Sequence, residues 1–192
     1  MQICPLLLLC TVACLQPITG EGSPAPTGSG SAMPTQNAPT ANPTEYDQEI
    51  LDVAANYKSA AFTKINSTAY ASSLTGVGQI NLYAYGDAMT YKTIHPETAT
   101  TTRVGVGTVI VREVLDSTGA VAELTMIAKA PSGFDDTLGD WWFGEADANG
   151  VAKLTGGVAQ VGKLAACHSC HVPRAAEDYL FGVPAANQRN GH

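Results

Sequence analysis

Four short runs set the limits on how this chain folds: QINLYAY at 79–85, GTVIVREVL at 107–115, VAELTMIAK at 121–129 and WWFGEA at 141–146. Each has strand length and is rich in β-branched or aromatic residues. Between them, DSTG (116–119) and DANG (147–150) supply the Asp and Gly that hairpin turns use. Ahead of the runs, TEYDQEILDVAANYKSAAF (44–62) puts Ile50, Val53, Ala54, Tyr57 and Ala61 at helical spacing, with Thr44 as N-cap and acidic residues in the first turn. The pattern predicts a mainly β (α+β) domain over 44–192, an antiparallel sheet with an N-terminal helix and a C-terminal helical segment. At 192 residues the chain holds one such domain once leader and tail segments are subtracted.

The first 20 residues, MQICPLLLLCTVACLQPITG, read as an export signal, with an apolar core followed by small residues and no Lys or Arg before it. Within it, TVAC ending at Cys14 resembles the lipobox of bacterial lipoproteins, which would place a lipid on Cys14 and attach the chain to a membrane. The alternative is that Cys4, Cys10 and Cys14 are small apolar residues of a segment that is removed. Residues 21–43, EGSPAPTGSGSAMPTQNAPTANP, are nearly free of large apolar side chains. Such a stretch cannot bury enough surface to offset its conformational entropy, so a disordered tether is expected. A net charge of −7, with 10 Lys and Arg against 17 Asp and Glu, argues against nucleic acid as a partner, because phosphate must be neutralised by cations.

Near the C-terminus, CHSCH (167–171) holds the two cysteines outside the leader. C-x-x-C-H is a haem-attachment signature: two thiols add across the vinyl groups of haem, and the adjacent imidazole becomes the axial ligand of iron. Cys167 and Cys170 are therefore the expected tethers of one haem c, and His171 the expected proximal ligand. His168, between them, reads as a solvent-side spacer. A zinc site would need more ligands than His95 and His192 add. A thiol–disulfide oxidoreductase would set C-x-x-C at a helix start in a βαβ unit, with a stabilised thiolate.

The runs GTVIVREV (107–114), PSGFDDTLGDWWFGEADANG (131–150) and CHSCHVPRAAEDYLF (167–181), taken in order, resemble the cytochrome P-460 family, with its cytochrome c′-beta relatives, over about Ile80 to Phe181. The resemblance implies a predominantly β fold with one haem, His171 below the iron, and an open or weakly held position above it. It also implies ligands or substrates among small nitrogen species, chiefly nitric oxide and hydroxylamine. In hydroxylamine-oxidising members a lysine on the GT-V-x-V-K-E strand bonds to the haem macrocycle; here that position is Arg112. Arginine stays protonated and is a poor nucleophile, so the cross-link is expected to be absent. A link at another lysine, such as Lys92 or Lys129, would mean that a different strand position meets the haem edge.

Alternation puts Arg112 on one strand face with Thr108, Ile110 and Val114, where it would meet a distal ligand or a haem propionate. Glu145 shares a face with Trp141 and Phe143 and is the second distal candidate. Met89, Met126 and His95 are conceivable sixth ligands. The expectation is thus an exported cytochrome, periplasmic or lipid-anchored on the outer side of a bacterial membrane, acting on nitric oxide or hydroxylamine with an unidentified redox partner protein. Simple electron transfer is the alternative, and the sequence leaves a homodimer open.

Overall fold

The computed structural model describes residues 43–73 and 77–189. The export segment, the lipobox at Cys14, nearly all of the tether and His192 lie outside them. Helix α1 (Glu45–Ala55) starts at Thr44, whose hydroxyl accepts from Asp47 N while Asp47 Oδ2 accepts from Thr44 N. This reciprocal capping satisfies amide groups that a helix start leaves open. The helix is shorter than its periodicity predicts. It stops at Asn56, so Tyr57 is buried from a turn rather than from the helix; Ala61 is exposed, and Phe62 takes the buried place.

The long runs form strands: β3 (Gln79–Tyr85), β4 (Val109–Leu115), β5 (Val121–Lys129) and β6 (Trp141–Ala146). Two-residue strands β1 (Thr63–Lys64) and β2 (Tyr70–Ala71) both pair with β3, and β9 (Val161–Gly162) pairs with β6. The result is a seven-stranded antiparallel sheet in the order β1-β3-β4-β5-β6-β9, with β2 also on β3. A separate ribbon joins β7 (Leu154–Thr155) to β8 (Val158–Ala159). The β4–β5 turn is closed by Asp116, whose Oδ1 accepts from Thr118 N and Ala120 N.

Strand alternation gives the sheet two buried faces. Val109, Val111, Leu124, Met126 and Trp142 pack against α1 residues Ile50, Leu51 and Ala54. On the other face, Leu82, Ile110, Trp141 and Phe143 pack with the short helix α2 (Ala88–Lys92) and with Leu180 and Val183 of the C-terminal segment. The adjacent indoles of β6 pin one element to each face. Trp142 Nε1 donates to Asp47 Oδ1 of α1 and Trp141 Nε1 to the Asp178 carbonyl, both at 2.7 Å. Helix α3 (Ala165–His171) and a 3₁₀ stretch (Val172–Glu177) precede that segment. At Gly182, φ is +67° and a Cβ would lie 2.0 Å from the Ile94 carbonyl oxygen, so only glycine allows the segment to close there.

Candidate functional site

Residues 167, 170 and 171 stand at i, i+3 and i+4 of α3, a spacing that puts Cys167, Cys170 and His171 on one helical face. All three line a cavity of about 380 Å³ whose floor is the sheet. That volume is within the roughly 300–1,000 Å³ of small-molecule and cofactor sites. The His171 ring is held on three sides. Its Nδ1 lies 2.5 Å from the Tyr179 carbonyl oxygen, and the rings of Phe143 and Phe181 meet it edge-on, each at 5.1 Å between centroids. A carbonyl only accepts, so Nδ1 carries the proton and Nε2 keeps its lone pair, the tautomer of a metal-ligating histidine. Burial lowers the imidazole pKa, opposed by the bond to Tyr179, and favours the neutral form.

The Tyr179 carbonyl is aimed by an uncommon backbone. Asp178 and Tyr179 are both left-handed, at φ 54° and 62°, and neither is glycine. Such residues cost about 1–3 kcal/mol each unless their surroundings fix them. Here Asp178 is 2% exposed and accepts from Lys129 Nζ at 2.7 Å and Val104 N at 3.0 Å, while its carbonyl takes the Trp141 indole.

The cavity floor follows from register. Leu82, Arg112, Thr125 and Glu145 are paired in sequence across β3, β4, β5 and β6, so they form one row on the cavity face. The parallel row is apolar, running Ala84, Ile110, Ile127, Phe143. Arg112 and Glu145 are thus two strand spacings apart, about 10 Å between backbones. Arg112 Nε donates to Thr125 Oγ1 at 2.8 Å, and its terminal nitrogens have no hydrogen-bond partner among the described residues. Burial depresses the guanidinium pKa.

All five residues singled out from sequence, Arg112, Glu145, Cys167, Cys170 and His171, line this cavity. Phe143 buttresses the His171 ring rather than standing apart from it as a distal wall. Of the three conceivable sixth ligands, Met89 is 54% exposed, and Met126 contributes to the cavity lining but, paired with Val111, sends its side chain into the α1-side core. His95 Nδ1 is 3.1 Å from both the Val183 carbonyl and Gln188 Nε2. His168 lies at the surface, 3.4 Å from the Thr137 hydroxyl. Lys129 is bound to Asp178 and Lys92 to the Arg189 carbonyl, and neither lines the cavity. Tyr70 of β2 and Tyr91 of α2, which sequence reasoning missed, line it as well. Neither belongs to a run long enough to show periodicity.

Cys167 stands in the first turn of α3, yet burial pushes its thiol up to about 11, away from the thiolate of a dithiol oxidoreductase. Among the described residues, no group of three or more His, Cys, Asp or Glu is arranged to hold a metal ion by itself. No protein-family model, curated protein or solved structure matches the chain.

Proposed function

We propose that this chain is an exported mono-haem c-type cytochrome of the P-460 kind, binding nitric oxide and binding or redox-transforming hydroxylamine at an iron ligated by His171. The observation that carries this reading is the trio Cys167, Cys170 and His171 on one face of α3, with Nε2 of His171 left free by the bond from Nδ1 to Tyr179. The residues fit the group: two thiols at the motif's spacing, a neutral imidazole fixed by three contacts, and an adjoining apolar wall. Bound haem would supply an iron that takes a diatomic or amine ligand and exchanges electrons.

The chain's own residues set the conditions. Cys167 and Cys170 would hold the cofactor by thioether bonds, and Phe143 and Phe181 keep the imidazole from turning. Met89 and His95 lie outside the cavity, and Met126, though part of its lining, packs in the α1-side core, so none of the three would be expected to hold the iron, which favours ligand chemistry over simple electron transfer. Arg112 occupies the cross-linking lysine's strand position but cannot release its proton to become a nucleophile. The Glu145 carboxylate lines the same cavity and would accept a proton from a hydroxylamine bound there. Hydroxylamine oxidation should be weak without the cross-link, while nitric oxide binding should persist. Electrons would pass to a separate redox protein. Export, with lipid attachment at Cys14 on the outer side of a bacterial membrane, belongs to the same reading.

The test is the absorption spectrum of ferric and ferrous protein made with a cytochrome c maturation system, with and without nitric oxide. A clear shift on adding nitric oxide is expected. A six-coordinate spectrum that nitric oxide leaves unchanged would favour simple electron transfer.

A further inference from the structure

Three polar groups in the cavity have more hydrogen-bonding capacity than the protein uses. Arg112 spends only Nε, on Thr125. Tyr91 is 3% exposed, and neither its hydroxyl nor that of Tyr70 has a partner among the described residues. None of these unused donors is sealed inside the protein; they open onto the cavity, where a bound ligand could take them up. Elsewhere this sheet satisfies its buried polar groups, as Trp141 and Glu113 do.

We infer that Arg112, Tyr70 and Tyr91 form a binding site for a small planar oxyanion, of the carboxylate or nitrite type, inside this cavity. Guanidinium is a donor-only fork that matches two coplanar oxygens. Tyr70 pairs with Ile80 and Arg112 with Leu82, two residues further along β3, and Tyr91 lines the same cavity. Both phenols remain donors, since burial pushes Tyr70 up to about 12 and raises Tyr91 too. A set made of donors selects an anion; a neutral diatomic would leave it unsatisfied. The cavity's carboxylate, Glu145, lies two strands away beyond Thr125, and Glu123, the carboxylate that acts on Arg112 from the adjacent strand, is paired with Lys153. The inference deepens the haem reading and rests on it for the anion's source, which is either the cofactor's own propionate or a free oxyanion such as nitrite.

The experiment is calorimetric titration of sodium nitrite and sodium acetate into the full haem-loaded chain, with resonance Raman spectra of the haem propionate modes on the same samples. Saturable anion binding that weakens about tenfold or more in Arg112→Gln and in Tyr91→Phe would assign a free oxyanion. Propionate modes that shift in both variants, without anion binding, would assign the cofactor's carboxylate. Neither effect in wild type, or binding that both variants leave intact, overturns the inference. Tyr91→Phe keeps the ring and removes only the hydroxyl, so the test stands if Arg112→Gln misfolds. Should the chain carry no haem, the functional reading fails, and the same titration of that full chain still decides the anion site.

Discussion

Arg112 and Glu113 are neighbours on β4, and alternation sends one to each face of the sheet. On the α1 side, Glu113 is 2% exposed and its two oxygens are taken up by Tyr57 at 2.6 Å, Asn81 at 2.8 Å and Lys58 at 2.8 Å. Asn81 in turn accepts from Asn66, whose own oxygen caps Leu82 N. That network is closed. On the cavity side, Arg112 holds a single hydrogen bond and the two nearby phenols hold none among the described residues. The same strand thus builds one face for stability and leaves the other with unused capacity. Donors that a fold leaves unused on the wall of a cavity are where a ligand is expected.

The comparison breaks most visibly at Asp178, a satisfied group on the cavity side. Asp178→Ala should cost about 3–5 kcal/mol in denaturant unfolding, because it strands Lys129 and releases the left-handed pair. It should also loosen the His171 ring, readable by NMR of the haem-free chain as loss of the single Nδ1–H tautomer. A smaller loss, about 2–4 kcal/mol, is expected for Glu113→Ala, mostly from leaving Tyr57 and Asn81 unpaired, since Lys58 is well exposed.

The Glu113 network also carries a pH signature. Burial pushes this carboxyl up, but hydrogen bonds from Lys58, Tyr57 and Asn81 outweigh it and hold the pKa below 4.5. Its contribution is therefore complete above the unfolded value and lost as pH falls through the lower folded one. The stability gap between wild type and Glu113→Gln should shrink over that acid window; a gap that widens there would refute the network. The smallest and sharpest contrast is between two tyrosines. Tyr57→Phe should cost about 1 kcal/mol, whereas Tyr91→Phe should leave the stability of the ligand-free protein unchanged or slightly raised. Equal losses would mean that Tyr91 is as well satisfied as Tyr57.

Much of this was legible in the sequence, for physical reasons. Three of the four long strands coincide with period-2 runs bounded by turn residues, and β4 begins two residues inside its run. Alternation put Arg112 on the Ile110 face of β4, which holds because the register with β5 is regular until Val114, while the family resemblance suggested that this face meets the site. The two-residue strands and α2 carry no periodicity, which hid Tyr70 and Tyr91. Helix α1 was read too long because Tyr57 is buried at the right spacing from a turn. The hold on His171 could not be read at all: its acceptor is a backbone carbonyl, aimed by left-handed Asp178 and Tyr179 where glycine would be the usual signal.

The central claim is that Cys167, Cys170 and His171 hold one haem. Mass spectrometry of a tryptic digest, on protein made with a cytochrome c maturation system, tests it most directly. Cleavage after Lys163 and Arg174 releases LAACHSCHVPR, which should carry one haem through two thioethers, with no haem on any peptide containing position 112. An intact chain with zinc and no haem, or haem linked at Lys92 or Lys129, would contradict the account.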